Sequence, residues 1–108
     1  MIYELRMYEV VPGRMPAMHA RFQNHTLGFF AKHGIKVIGF WEAVVGQSNV
    51  LNYLLAFDSL AHREELWKKF GGDPEWVKMR SNPELADALI VSNISNSLLR
   101  PLPFSPIR

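Results

Sequence analysis

The spacing of apolar residues in this 108-residue chain switches repeatedly between the period of a strand and that of a helix. Residues 2–11 alternate as a strand does, and Pro12-Gly13 ends that strand. Residues 15–33 have helical spacing, with Gly34 as the stop. The same patterns then predict strands over 35–45 and 50–57, a helix over 60–70, short helical starts at 73–75 and 82–84, and a strand over 90–99.

This order, strand–helix–strand–strand–helix–strand, is typical of the ferredoxin-like split βαβ fold. We therefore predict one α+β domain over residues 1–100, with a four-stranded antiparallel sheet and the helices on one of its faces. Residues 101–108 carry three prolines around Phe104 and are expected to form an extended tail that docks on a partner subunit.

Composition removes several classes of function. The chain has no cysteine, so thiolate metal sites and cysteine nucleophiles are excluded. Its net charge is only +2, which predicts no nucleic-acid surface. No apolar run reaches about 18 residues, the length that spans a membrane. Because Met1 leads directly into the first strand, we expect a cytoplasmic protein without contact to a membrane.

The two middle strands have apolar residues on both faces, although the helices can cover only one face of the sheet. Val37 and Trp41 share one parity of the second strand, whereas Ile38 and Phe40 share the other. A bare apolar sheet face would exceed the largest patch that is usual on a monomer. We therefore predict a homodimer that packs sheet against sheet; a monomer with an apolar outer face is the alternative.

Polar residues on the strands indicate where a ligand could bind. If Tyr3, Leu5 and Met7 pack under the helices, the opposite parity of the first strand points to the other face of the sheet. That face would then carry Glu4, Arg6 and Tyr8, together with Asn52, Asn93, Ser95 and Ser97. The parity of the second strand stays open, so Trp41 and Phe40 compete for the same side. The competing interpretation of Glu4 and Arg6 is a structural ion pair.

Several segments resemble the NIPSNAP family in order along nearly the whole chain. The opening Ile2-Tyr3-Glu4-Leu5-Arg6, then Tyr8 and Pro12-Gly13, is similar to the family's first strand. The later matches are Gly39-Phe40-Trp41 with Gly46, Asp73-Pro74-Glu75-Trp76, Leu99-Arg100-Pro101 and Pro103-Phe104-Ser105-Pro106. The resemblance implies a dimeric α+β barrel, in which two ferredoxin-like subunits close their sheets around a shared interior.

The resemblance implies little about chemistry, because the family has no settled reaction. Related barrels include cofactor-independent monooxygenases, haem-handling enzymes and small isomerases, each of which uses its cavity. Family positions Glu4, Arg6, Tyr8, Trp41 and Arg100 match here. Tyr53 stands where a histidine is expected, which weakens a haem or acid–base role at that position.

Our first hypothesis is a protein that binds a small molecule inside the barrel, either as a binding protein or as an enzyme that transforms it. Glu4 and Tyr8 would transfer protons or donate hydrogen bonds, and Arg6 would anchor an anionic or enolate substrate. The ligand-binding candidates are Trp41, Asn52, Tyr53, Asn93 and Ser95. No cofactor is predicted; haem on His33 or His25 is the weaker alternative. The second hypothesis is a non-catalytic binding or scaffold module with a packed barrel interior.

Overall fold

The computed structural model describes residues 1–108, and its regular elements follow the predicted order. The strands are β1 (Ile2–Val10), β2 (Lys36–Glu42), β3 (Val50–Phe57) and β4 (Val91–Leu99). The helices are α1 (Met15–Arg21), a π-helical segment (Phe22–Thr26), α2 (Leu27–Lys32), α3 (Leu60–Gly71), α4 (Pro74–Arg80) and α5 (Asp87–Ile90). The strands form one antiparallel sheet in the order β2-β3-β1-β4, which confirms the predicted α+β fold.

The first helix is a continuous rod made of α1, the π-helical segment and α2. Apart from Arg21, its buried residues recur every four positions, at Met18, Phe22, Thr26 and Phe30. An α-helix repeats every 3.6 residues, and the wider π turn lengthens that repeat locally. Because of this shift the core residue is Phe30, rather than the Phe29 that a uniform 3.6-residue period selects.

The second helical layer begins and ends where its capping residues predict. The Ser59 hydroxyl accepts a hydrogen bond from the His62 backbone N–H at 3.1 Å and starts α3. The Asp73 carboxylate accepts from the Glu75 N–H at 2.9 Å and starts α4. The similar Asn82-Pro83-Glu84 sequence forms only a turn, although the Asn82 side chain accepts from the Glu84 N–H. The next helix, α5, begins at Asp87 instead.

The second strand is shorter than predicted and has an irregularity in the middle. It ends at Glu42, and Val44 and Val45 are almost fully exposed in the following loop. The pairing of β2 with β3 shifts between Val37 and Gly39, so the side-chain parity changes there. The prediction of a strand reaching residue 45 is therefore wrong.

The register between strands assigns each side chain to one face of the sheet, because residues directly opposite each other point the same way. One row, on the face covered by helices, crosses the sheet through Phe40, Tyr53, Arg6 and Asn96. The next row, on the open face, runs through Trp41, Asn52, Met7 and Ser95.

This register corrects the predicted orientation of the first strand. Glu4 and Tyr8 are buried beneath the helices, on the same face of the sheet as Arg6. Leu5 and Met7 lie on the open face and are only half-buried. The orientation fails because a charged residue can take the core side when another element supplies its partners. The expected placement of Asn52, Asn93, Ser95 and Ser97 on the open face agrees with the register.

Residues 101–108 follow β4 without regular structure, and Leu102, Phe104 and Ile107 are all more than half exposed. No helix combines the length and the apolar character needed to cross a membrane.

Candidate functional site

A fully buried carboxylate, that of Glu4, organises the polar residues beneath the helices. Its Oε1 accepts hydrogen bonds from Arg63 Nε and Trp67 Nε1, each at 2.8 Å. Its Oε2 accepts from Arg6 at 2.9 Å and from Asn96 Nδ2 at 3.0 Å. Arg63 and Trp67 lie four residues apart on α3, so one face of that helix supplies both donors to Oε1.

These contacts decide the charge of Glu4. Burial by itself would raise the pKa of this carboxyl, but the hydrogen bonds that it accepts outweigh burial and lower the pKa to about 2. Glu4 is therefore ionised at neutral pH. With four donor side chains around its two oxygens, Glu4 holds Arg6 and Arg63 in place rather than offering a free base.

Arg6 connects the buried carboxylate to two tyrosines. Its Nε donates to the Tyr53 hydroxyl at 2.7 Å, and its NH2 group lies 3.4 Å from the Tyr8 hydroxyl. The guanidinium carbon lies 4.9 Å from the centroid of the Trp67 ring, within the range of a cation–π contact. Burial would lower the pKa of Arg6, yet the neighbouring phenolic oxygens and Glu4 raise it, so the guanidinium stays charged.

The two tyrosine hydroxyls have one proton more than their protein partners can accept. They lie 3.0 Å apart, so one hydroxyl donates to the other. Both oxygens also face N–H groups of Arg6, which can only donate. Burial is the main reason why the pKa of Tyr53 is raised well above its ordinary value, so this phenol keeps its proton. The remaining hydroxyl proton therefore has no acceptor in the protein.

A cavity of about 200 Å³ lies between this cluster and the helices. Since one water molecule occupies about 30 Å³ of liquid, the cavity has room for about seven waters or a small organic molecule. Its walls include Arg6, Tyr8 and Tyr53 from the sheet, and Phe30, Trp67 and Phe70 from the helices. Arg21, Arg80 and Asp87 also line it and lie around a second cavity of about 220 Å³ that shares Trp76.

The structure divides the predicted site residues into two groups. Glu4, Arg6, Tyr8 and Tyr53 come together beneath the helices, and Glu4 anchors the cluster without lining the cavity. The open face of the sheet holds Trp41, Asn52, Asn93 and Ser95. The competition between Trp41 and Phe40 is resolved in favour of Phe40 for the cluster side, where its ring stacks on Tyr53 at 5.0 Å.

Several polar and charged residues of the cluster and cavity were not among the predicted site residues. They include Arg63, Trp67 and Asn96, which bind Glu4, and Arg21, Arg80 and Asp87, which line the cavity. The i, i+4 spacing of Arg63 and Trp67 was a visible signal that a helix face carries a donor pair. Nothing local marks Arg21, because its burial depends on α5, more than sixty residues away.

A wider groove of about 420 Å³ lies along β2, between that strand and the first helix. It is lined mainly by apolar side chains, and the His19 imidazole contacts the Glu42 carboxylate at its edge. Charged donors converge in the smaller cavity instead, which makes the smaller cavity the candidate site. No cluster of three or more His, Asp or Glu side chains is arranged to hold a metal ion.

The fold and the cavity define the class: a ferredoxin-like α+β domain with hydrogen-bond donors buried between its sheet and its helices. The NIPSNAP family model matches residues 3–106, and the chain belongs to the NIPSNAP family. No curated protein matches the chain.

Three solved structures have a fold very similar to that of this chain. A NIPSNAP family protein from Agrobacterium tumefaciens superposes with a TM-score of 0.89 at 24% identity, over 99% of this chain and 98% of that one. A second from the same organism, of unknown function, has a TM-score of 0.88 at 25% identity, over 100% and 94%. An uncharacterised NIPSNAP domain protein from Burkholderia xenovorans has a TM-score of 0.86 at 24% identity, over 98% and 99%. These likenesses establish the fold and assign no activity.

Proposed function

We propose that this NIPSNAP protein binds a small organic anion, a carboxylate or an enolate, in the cavity between its helices and its sheet. The observation that carries the proposal is the surplus of donors there. Arg6 is charged, and one hydroxyl proton of the Tyr8–Tyr53 pair has no acceptor. A buried donor without an acceptor is costly, so the cavity favours a ligand that supplies one.

The proposal favours stabilisation of an anion over removal of a proton. The nearest carboxylate, Glu4, has its oxygens occupied by donors, and the lining carboxylate of Asp87 is paired with Arg21. A substrate that arrives already ionised, as a carboxylate or as the enolate of an acidic carbonyl compound, needs only the donors that are present. Chemistry of the cofactor-independent monooxygenase kind is compatible with the cavity only for such a pre-ionised substrate.

Calorimetric titration with benzoate tests the proposal, with benzyl alcohol as the neutral ligand of similar shape. We expect benzoate to bind and benzyl alcohol not to bind. Arg6→Met should abolish benzoate binding, because a hydrogen bond to a charged group contributes about 1.5–3 kcal/mol, or roughly 10- to 150-fold in affinity. Tyr8→Phe removes one hydroxyl with little change in shape and should weaken binding as well.

The matched control is Lys78→Gln, which removes an exposed positive charge from α4 away from the cavity. It should bind benzoate as the unmodified protein does. Equal binding by Arg6→Met, in a variant whose circular dichroism shows a folded protein, would overturn the proposal. Equal affinity for benzoate and benzyl alcohol would do so too, because the donors would then not recognise charge.

The alternative is a non-catalytic binding or scaffold module with a packed barrel interior, which is the space between the sheets of two subunits. The cavity of about 200 Å³ lies on the other face of the sheet, beneath the helices, and charged donors converge in it. This cavity favours a ligand-binding role, because a module used only as a scaffold needs no such space.

The homodimer through the open sheet face is also a proposal. Leu5, Met7 and Leu54 lie half-exposed on that face, and Trp41 is 53% exposed beside them. A second copy packed on this face would remove them from water and form the dimeric barrel. Leu54→Arg should yield a monomer in sedimentation velocity. Lys68→Glu, on the exposed side of α3, should remain a dimer. A monomeric unmodified protein at micromolar concentration would refute the dimer.

The absence of a cofactor and the cytoplasmic location stay predictions. Of the two histidines considered for haem, His33 donates a hydrogen bond from its Nε2 to the Asp73 carboxylate at 2.7 Å. Neither His33 nor His25 lines the candidate cavity or the wider groove.

A further inference from the structure

We infer that Arg21 and Arg80 form a second anion subsite at the mouth of the cavity, so that its ligands are short dicarboxylates. This inference rests on the proposed binding of an organic anion at Arg6. The ligand would then carry two acceptor groups. Arg6 and the tyrosines would bind the inner one, and the two arginines at the mouth would bind the outer one.

Arg21 carries the first observation. Its side chain is almost fully buried, yet its Nε has no hydrogen-bond partner. One terminal nitrogen donates to the Leu85 carbonyl at 3.2 Å and forms an ion pair with Asp87. Arg21 lines both the inner cavity and the adjoining one. The other terminal nitrogen forms no hydrogen bond within the protein, so its N–H groups are the donors that a ligand oxygen in the cavity would meet.

The π-helical segment is an independent observation at the same place. It begins directly after Arg21 and ends at Thr26, and both of these residues line the inner cavity. The Thr26 hydroxyl donates to the Arg21 carbonyl at 3.4 Å, five residues back. In an α-helix, residues five apart point in different directions, whereas one π turn brings them to the same side. Such segments occur frequently at functional sites.

Arg80 supplies the second positive charge. It is exposed on α4, forms no ion pair, and lines both cavities. With Asp87 as the only carboxylate there, the mouth keeps one positive charge in excess. The adjoining cavity is lined by Arg21, Trp76, Arg80 and Asp87 alone, so a carboxylate in it would meet both arginines.

The apolar side chains that line the inner cavity indicate the chemistry of the ligand's middle segment. Phe30, Trp67 and Phe70 line the inner cavity and contribute no charge. A ligand that spans from Arg6 to the mouth therefore has an acceptor at each end and an apolar segment between them. Short dicarboxylates have this pattern.

Calorimetry with the dicarboxylates from succinate to pimelate tests the inference, each compared at constant ionic strength with the straight-chain monocarboxylate of the same carbon number. We expect at least one dicarboxylate to bind tenfold more tightly than its monocarboxylate, which is about 1.4 kcal/mol. Arg80→Gln should reduce this advantage to twofold or less, and Lys78→Gln on the same helix should retain it. Arg21→Lys keeps the charge but loses the planar guanidinium with its terminal N–H donors, and should also reduce the advantage.

The outcomes separate this inference from the proposed function. If monocarboxylates bind and no dicarboxylate binds more tightly, the outer subsite is wrong while the inner site stands. An advantage that persists in Arg80→Gln refutes the arginine pair. If neither these acids nor benzoate bind the unmodified protein, both proposals fall. Arg80 is exposed, so its variant remains informative even where Arg21→Lys does not fold.

Discussion

Replacing the buried carboxylate tests whether the Glu4 cluster stabilises the fold as its contacts indicate. In Glu4→Gln, the amide cannot carry the negative charge that Arg6 and Arg63 face, and its NH2 group directs a donor at them. Both arginines would then lie half-buried without their main partner. The substitution changes neither the length nor the volume of the side chain, so its effect reports on charge and hydrogen bonding.

The pKa of Glu4 gives the magnitude. Its folded-state value of about 2 lies roughly 2.5 units below the ordinary value of 4.5, and each unit corresponds to about 1.36 kcal/mol. The charged form therefore contributes about 3 kcal/mol to the free energy of unfolding at neutral pH. A lowered folded-state pKa means that this contribution is present above pH 4.5 and is lost as pH falls toward 2. At pH 3, about 1.4 kcal/mol of it remains by the same linkage relation.

Urea unfolding of both proteins at several values between pH 7 and pH 3 measures the difference directly. The difference in unfolding free energy should be about 3 kcal/mol at pH 7 and should shrink by half or more at pH 3. Asp73, whose pKa is also lowered, chiefly by its hydrogen bond from Lys32, is common to both proteins and cancels in the difference. Glu64→Gln removes an exposed carboxylate from the same Arg63 and should cost less than 1 kcal/mol. A difference that does not change with pH would refute the reasoning.

Three further changes test separate parts of the structure. Trp67→Phe deletes the indole donor to Glu4; it should cost about 1.5 kcal/mol in urea unfolding and raise the pKa of Glu4. Gly34→Ala should cost about 1 kcal/mol, since Gly34 has φ +75°, whereas Gly28→Ala within α2 should be neutral or stabilising; equal effects would contradict the backbone argument. Deleting residues 101–108, with their exposed Phe104, should raise the dissociation constant of the proposed dimer in sedimentation equilibrium; an unchanged constant would rule out tail docking.

The order of the elements was accessible from the sequence because their ends depend on local signals. Period changes, Pro12-Gly13 and Gly34 mark the ends of the first two elements, and Ser59 and Asp73 cap helices where their side chains predict. Gly34 also shows the left-handed backbone expected of a helix stop. Each of these signals involves residues within a few positions of one another.

The orientation of β1 was not accessible, because it depends on distant partners. On periodicity alone, Tyr3, Leu5 and Met7 make the better core face. The core instead takes Glu4, whose donors Arg63 and Asn96 lie 59 and 92 positions away. Burial of a carboxylate becomes favourable only when such partners surround it, and no local pattern reports this.

Two irregularities account for most of the remaining differences. The shift in pairing near Ile38 lets Val37 and Phe40 pack against the core although they lie three residues apart. The π-helical segment moves the buried position of the first helix to Phe30 and brings Arg21 to the cavity. Each irregularity changes which side chains face the core in the remainder of its own strand or helix. A prediction from periodicity assumes one constant period along the whole element and therefore misses this change.

The strict alternation of β1 and β3 has a consequence for how the two proposals relate. Arg6 and Tyr53 face the cavity, while their immediate neighbours Met7 and Leu54 face the open side of the sheet. The proposed ligand site and the proposed dimer interface therefore share strands but no side chains. Substitutions on one face should leave the function of the other intact, so Arg6→Met should remain dimeric and Leu54→Arg should still bind benzoate. Loss of both properties in either variant would mean that the ligand lies between the two sheets instead.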